Sequence, residues 1–281
     1  MLPNFVSVIA ESREEALSYL ASLEDGKILA GGTDVLPKMR RGSSWRNVVD
    51  ITRVGDMKGI VEHNGRVSIG STTTHAAIQT NPIVSAWARS LSVACGWVGS
   101  PAIRNMGTLG GNLVNASPAA DSLAPLLIHD ACAVLESREG MRKVKLDDLI
   151  IAPYKTAISH RELLTSIEIG KLSGYREGYR RVTKRAAWAI SRLSIAWAIQ
   201  EENGVYRDVK LAIGSCTPMP FRPRTTEDSL KGKRKSDKVI GDAIASVLQD
   251  VVIISGRRPS FVYKLPVLRD LLGEILGGKQ E

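Results

Sequence analysis

Two glycine-bearing segments hold the residues whose types and spacing could do chemistry. The first reads Ile28, Leu29, Ala30, Gly31, Gly32, Thr33, Asp34, Val35, Leu36: an apolar run that opens into paired glycines, a hydroxyl and an acid, then helix-compatible residues. Glycines let a backbone approach a phosphate closely. The free N–H groups of a turn or helix start then bind the anion without a cationic side chain. Thr33 adds a hydroxyl donor. A simple tight turn would use the same residues. The second segment runs from Arg104 through Asn105, Met106, Gly107, Thr108, Leu109, Gly110, Gly111, Asn112 and on to Asp121. It repeats the device with more polar groups. Two such cradles suit a diphosphate held between two subdomains, with Asp121 free to accept hydrogen bonds from hydroxyl groups. Neither a GxGxxG turn nor a Gly-x4-Gly-Lys-Ser/Thr loop occurs, so any nucleotide is held by another fold.

The elements that must position these segments can be read outward from them. A strand is expected at 5–9, followed by Ser12 and Glu15 in a capping box and by Ala16, Leu17, Leu20 and Leu23 at helical spacing. The helix should stop near Asp25-Gly26. A second strand at 27–30 then runs into Gly31 and a third follows at 48–51, which makes a βαβ start. Further strands are expected at 59–62, 66–69, 133–136 and 164–169, with helices at 74–79 and 82–95. The polar run 171–178 reads as a linker. Beyond it come strands at 179–183, 193–200 and 205–213, the last two joined by a turn at Glu202, Asn203 and Gly204, then helices at 237–248 and 260–276. Strands followed by helices imply an α+β C-terminal domain.

Composition bounds the classes. With 281 residues, 43% hydrophobic and 24% charged, the chain has room for two globular domains. No basic start with an apolar run and cleavage site occurs, and no apolar stretch is long enough for a membrane span, so a cytoplasmic protein is expected. Cys95, Cys132 and Cys216 are dispersed and form no CxxC pair, which suggests buried thiols and no metal site of this chain's own. His63, His75, His129 and His160 are isolated and receive no metal. The sequon at Asn115 is discounted, since Pro118 follows it in a chain without a secretion signal. A net charge of +9 raises nucleic acid as a partner. The densest basic stretch, 231–235, has no aromatic in reach and reads as a solvated loop, which argues against that partner. The basic excess could instead serve docking to acidic partner subunits.

The pair AGGTDVL and RNMGTLGGNLVNASPAADSLAPLL closely resembles the two FAD-binding segments of the medium, flavin-carrying subunits of the xanthine dehydrogenase, carbon monoxide dehydrogenase and aldehyde oxidase family. The resemblance extends through residues 162–169, the basic strand Tyr179, Arg180, Arg181, the run 189–192, the run 211–214 and the final helix. It covers essentially the whole chain, and the paired glycine motifs with the Asn-x8-Asp spacing are specific to it.

The resemblance implies an α+β protein. A two-subdomain FAD-binding domain of the vanillyl-alcohol oxidase type (1–170, divided near 54 and 55) would be followed by a smaller α+β domain (176–281) with an antiparallel sheet and helices. By position, residues Ile28 to Val35 and Thr108, Leu109, Gly110, Gly111 and Asn112 would wrap the pyrophosphate and ribityl chain. Asp121 matches an acid that contacts the cofactor. Val98 and Leu164 match apolar positions beside it, where plain core packing is the alternative. Arg181 stands where relatives often carry a lysine beside the isoalloxazine, and a cation there would raise the flavin's potential. The alternative is an exposed arginine on a basic strand. Trp188 falls near a position where some relatives set an aromatic over the ring, where it could gate access of the acceptor. A core tryptophan is the other reading.

The resemblance also implies partners: a large molybdopterin subunit that oxidises the organic substrate and a small subunit whose [2Fe–2S] clusters deliver electrons, in a heterotrimer or its dimer. FAD on this chain would collect the electrons and pass them to an external acceptor. No residue here is expected to act as acid, base or nucleophile on the substrate. The rival reading is a free-standing FAD-dependent oxidoreductase of the vanillyl-alcohol oxidase type. That class calls for polar or aromatic residues around the ring, and the segment after the linker offers few.

Overall fold

The computed structural model describes residues 3–23, 26–185 and 188–278. Its first unit is β1 (Val6–Ile9), α1 (Arg13–Ser22), β2 (Gly26–Leu29), α2 (Val35–Arg40) and β3 (Asn47–Asp50). All its strands are parallel, in the order β1-β3-β2. The third strand therefore lies between the first two. Ser12 caps α1 by accepting from the Glu15 N–H at 3.1 Å, while the Glu15 carboxylate reaches back to the Glu11 N–H at 2.8 Å, one residue earlier than a standard box. The expected stop of this helix at Asp25 lies outside the described residues.

The second unit opens with a 3-10 turn (Gly55–Met57) and the hairpin β4 (Ile60–His63) and β5 (Arg66–Gly70). Helices α3 (His75–Thr80), α4 (Pro82–Trp87), α5 (Arg89–Trp97), α6 (Pro101–Met106), α7 (Leu109–Asn115) and α8 (Leu123–Ile128) follow. Then come β6 (Cys132–Ser137), β7 (Gly140–Lys145), α9 (Leu146–Leu149), the small pair β8 (Ile150–Ala152) and β9 (Lys155–Thr156), and β10 (Leu163–Gly170). The main sheet is ordered β4-β5-β10-β6-β7, and every pair in it is antiparallel. Alternate residues Val67, Ile69, Ala133, Leu135, Ile167 and Ile169 point from it into one core beneath the helices.

The helix expected over 82–95 is two helices, because Ala88 leaves the helical conformation and the start of α5 is capped from elsewhere. The Glu177 carboxylate accepts from the Ser90 N–H at 2.8 Å. Strand β7 escaped sequence reading because its face is exposed and its residues are charged. It exists through its full pairing with β6.

The third unit is an antiparallel sheet of β11 (Arg176–Thr183), β12 (Ser191–Glu202) and β13 (Val205–Gly214), with α10 (Arg224–Leu230), α11 (Asp237–Ser255) and α12 (Phe261–Gly277). The end of the expected linker is thus strand. Gly178 lies opposite Trp197, and a Cβ on it would sit 2.2 Å from the indole, so the glycine is there for packing and not for flexibility. Period-two alternation divides the sheet's faces. Leu193, Ile195, Trp197 and Ile199 pack beneath α11 and α12, whereas the small Ala196, Ala198 and Ala212 admit helices of the second unit. Asn203 and Gly204 both adopt positive φ, as a two-residue hairpin turn requires. The basic stretch 231–235 is pinned along this hairpin by backbone bonds from Tyr206 to Lys233, from Gly232 to Tyr206 and from Lys235 to Gly204. Among the described residues, no helix is long and apolar enough to cross a membrane.

Candidate cofactor site

The two glycine segments meet. A Cβ on Gly31 would lie 1.8 Å from the Met106 carbonyl oxygen, and one on Gly107 would lie 3.4 Å from Thr33 Oγ1. Only glycine lets the turn after β2 rest against the α6–α7 connection. Gly110 is fixed in the same way on the other side, where a Cβ would stand 2.5 Å from that of Ser71.

The two segments differ in what their backbones offer. In the second, the Leu109 and Gly110 N–H groups donate to the Thr73 and Ser71 carbonyls at 3.0 and 2.9 Å. Gly111 donates to Thr108 Oγ1 and Asn112 to the Thr108 carbonyl, both at 3.0 Å. The expectation of two equivalent anion cradles is therefore corrected. Helix α7 uses its first donors to dock on the loop after β5. In the first segment the N–H groups of Gly31, Gly32, Thr33 and Asp34 have no acceptor among the described residues. Gly32 takes the positive φ that turns them. A turn of this kind can present its donors to an anion.

A cavity of about 510 Å³ opens between the segments, within the range of cofactor sites. Ile28 and Ala30 through Val35 line one wall, and Thr108, Gly110, Gly111 and Asn112 line the facing one. Val98 and Leu164 add apolar surface. Leu29 stays outside this wall, and Leu109 is fully buried in the core of the second unit.

Several residues outside the two glycine segments also line the wall. Ser71 Oγ is buried without a hydrogen-bond partner among the described residues. His75 is 1% exposed, and its Nδ1 lies 3.4 Å from Cys95 Sγ. Burial, with a smaller push from Arg104, lowers the His75 pKa to about 4, and burial pushes the Cys95 thiol well up. A protonated thiol donating to Nδ1 leaves the ring's own proton on Nε2. Lys27, Lys38, Asn115 and Tyr154 also line the wall. The signal for the lysines was their place just before and just after the first glycine segment.

Three more expected site residues, besides Leu29 and Leu109, stand elsewhere. Asp121 is 7% exposed, and its oxygens are occupied: they accept from Tyr179 Oη at 2.6 Å, Ser191 Oγ at 2.5 Å and Arg181 Nη1 at 3.0 Å. Burial raises its pKa, and the hydrogen bonds from Ser191 and Tyr179 and the charge of Arg181 offset this only in part. It is not free for cofactor hydroxyls. Arg181 is not a solvent-facing arginine, since its guanidinium is buried against Asp121 and lies 5.0 Å from the Trp97 ring. Trp188 is neither core nor cavity wall. It is 68% exposed, on a loop held by the bond from Arg181 Nη1 to the Ala189 carbonyl.

The wall fits a flavin dinucleotide. It offers unpaired N–H groups at a glycine turn and lysines for phosphates, an orphaned hydroxyl for a polar chain, and Val98, Ile103 and Leu164 for a flat apolar ring.

A three-unit α+β chain whose glycine-walled cavity fits a flavin dinucleotide has the make-up of a flavin-carrying subunit. Residues 3–171 match the family described as the FAD binding domain in molybdopterin dehydrogenase, and residues 178–277 match the CO dehydrogenase flavoprotein C-terminal domain. The chain belongs to this family of FAD-binding subunits of molybdenum hydroxylases, and FAD is its cofactor. It is 34% identical over 271 residues to the glyceraldehyde dehydrogenase medium chain of Sulfolobus acidocaldarius, covering 96% of each chain. It is 30% identical to a putative xanthine dehydrogenase FAD-binding subunit of Escherichia coli K12, covering 95% of this chain and 93% of that one. Among solved structures, reconstituted CO dehydrogenase from Oligotropha carboxidovorans superposes with a TM-score of 0.90 at 26% identity, covering 97% and 96% of the two chains.

Proposed function

We propose that this chain is the electron-relay subunit of a molybdenum hydroxylase complex. It takes electrons from iron–sulfur clusters of a small partner subunit and passes them to an external acceptor, while a large molybdopterin subunit oxidises the substrate. The assembly is a cytoplasmic heterotrimer or its dimer. The carrying observation is the turn at 31–34, whose unpaired N–H groups border a cavity walled on the other side by apolar and small residues. The relatives' names, a medium chain and an FAD-binding subunit, support membership of a larger complex.

Bound FAD supplies the redox chemistry, accepting and donating electrons. The chain's residues bind and orient it. Gly31, Gly32, Thr33 and Asp34 present donors to its phosphates, with Ile28, Ala30 and Val35 setting the turn's ends. Thr108, Gly110, Gly111 and Asn112 form the facing wall, and Val98 and Leu164 exclude water from the ring. Asp121 and Arg181 serve as positioning residues. Their pair anchors β11 and holds Trp97, the neighbour of Val98. Trp188, on the loop that Arg181 holds, is placed for contact with an acceptor and not with the cofactor. The division at 54, 170 and 176 leaves every sheet whole within one unit, with the five-stranded sheet and the small β8–β9 pair both in the second, and this supports it.

The test is visible absorbance and the thermal midpoint of the purified chain with and without FAD, since a ligand that binds the folded state raises stability by mass action. A flavin spectrum and an FAD-dependent rise, both abolished by Gly111→Trp, are expected. Absence of FAD uptake by the chain and by its copurified complex would overturn the reading.

A further inference from the structure

Lys27 in β2 and Lys38 in α2 stand half-buried in the cavity wall, one on each side of the glycine turn. Neither has a carboxylate partner among the described residues. Lys38 Nζ donates to Asn115 Oδ1 at 2.6 Å and lies 5.5 Å from the centre of the Tyr154 ring, while Lys27 Nζ lies 5.2 Å from that of Trp45. An amide oxygen and two aromatic faces attract an ammonium without neutralising it. The two lysines also repel each other: burial lowers the Lys27 pKa, and the charge of Lys38 lowers it further. The acids on the same wall do not relieve them, since Glu162 is paired with Arg142 and Asp34 is exposed at the start of α2. Partly desolvated charges without counter-charges are unfavourable until an anion arrives.

The partners of Lys38 come from separate parts of the chain. Asn115 ends α7. Tyr154, held at positive φ between β8 and β9, donates its N–H to the Ala116 carbonyl at 2.9 Å. Lys38 therefore ties the first glycine segment to the second and to the β8–β9 hairpin at one edge of the cavity.

We propose that Lys27 and Lys38 are the charged phosphate anchors of this site, and that Lys38, Asn115 and Tyr154 form a clasp that selects a flavin carrying phosphate over phosphate-free flavin. The inference rests on the FAD reading of the cavity. Backbone donors of the turn orient the diphosphate, and the two ammonium groups supply the charge that those donors lack.

The test is fluorescence titration of the flavin-stripped full chain with FAD and with riboflavin, at low and high salt, for wild type, Lys27→Met, Lys38→Met and Lys38→Arg. Each methionine variant is expected to weaken FAD binding by about tenfold or more and to flatten its salt dependence, with riboflavin affinity unchanged. Lys38→Arg should keep most of the FAD affinity. Methionine variants that bind FAD like wild type, or that lose FAD and riboflavin equally, would overturn the clasp while leaving the FAD site standing. A wild-type chain that takes up neither flavin, alone or in its complex, would overturn the site reading itself and the clasp with it.

Discussion

His129 Nε2 lies 2.8 Å from Glu177 Oε1 at the junction of the second and third units, and its Nδ1 lies 2.9 Å from the Gly170 carbonyl oxygen. Both partners are acceptors. The two contacts fix the ring between the carbonyl of one unit's last strand and a carboxylate of the next. Glu177 also accepts from the Ser90 N–H, so one carboxylate fixes the start of α5, the end of α8 and the first strand of the third unit.

Removing one partner of a buried pair leaves the other uncompensated. Glu177→Ala should lower stability by about 3–5 kcal/mol at neutral pH, and Glu177→Gln, which keeps acceptors for Ser90 and His129, by less. Burial pushes the Glu177 carboxyl up, but the bond and charge from His129 and the bonds from Ser90 outweigh it and hold the carboxyl below its ordinary 4.5. A depressed acid contributes stability that is present above pH 4.5 and lost as pH falls through its folded value. Urea unfolding should therefore separate wild type from Glu177→Gln at pH 7 and bring them together in acid. A gap that persists unchanged would assign the effect to packing.

Gly31→Ala should damage both fold and cofactor uptake. Its Cβ would meet a backbone carbonyl that cannot rotate away, so the turn must shift, at a cost of about 2–3 kcal/mol. The control is Gly241→Ala inside α11, where a Cβ meets nothing within 4 Å and the helix should gain roughly 0.5–1 kcal/mol. Thermal midpoints and flavin absorbance of the two variants read this directly. Equal midpoints would mean that the Gly31–Met106 contact is not required.

His75 gives a pH signature of the opposite chemical type. Its imidazole is buried beside Cys95, and burial, with a smaller push from the charge of Arg104, lowers its pKa from 6.5 to about 4. Stability from a depressed histidine is present above pH 6.5 and lost as pH falls toward 4, because the unfolded chain binds the proton first. The full range is about 3 kcal/mol. His75→Gln should flatten the stability profile between these pH values. An unchanged slope would exclude His75 as its source.

How much of this was legible in sequence depended on whether the signal was local. The glycine turn at 31–34 follows from residues in a row. The strand at 193–200 and the turn that follows it do too, and the structure shows each of them. The order β1-β3-β2 and the capping of α5 by Glu177 depend on contacts between distant segments, which no local pattern encodes. Strand β7 was invisible because an exposed charged strand has no hydrophobic period. The site divided along the same line. Position identified the cavity walls, but that Asp121 turns its oxygens toward Tyr179, Ser191 and Arg181 and away from the cavity becomes visible only when β11 and β12 are set beside α8. Lys27 and Lys38 were in plain view. Their meaning depended on the absence of a nearby carboxylate, which is a property of the folded surroundings.

The Asp121–Arg181 pair predicts a non-additive mutant cycle. Both side chains are more than nine-tenths buried and 3.0 Å apart, and Tyr179 and Ser191 both donate to the other carboxylate oxygen. Asp121→Asn leaves a buried guanidinium with only the Trp97 face and neutral oxygens, and Arg181→Met leaves a buried carboxylate with two hydroxyls. Each single change should cost about 3–5 kcal/mol. The double variant has no uncompensated charge, so its loss should fall short of the sum of the singles by about 1–3 kcal/mol in denaturant unfolding. Strict additivity would mean that the two residues act independently. In that case Arg181 would be held by Trp97 and the Ala189 carbonyl, and Asp121 by its hydroxyl donors alone.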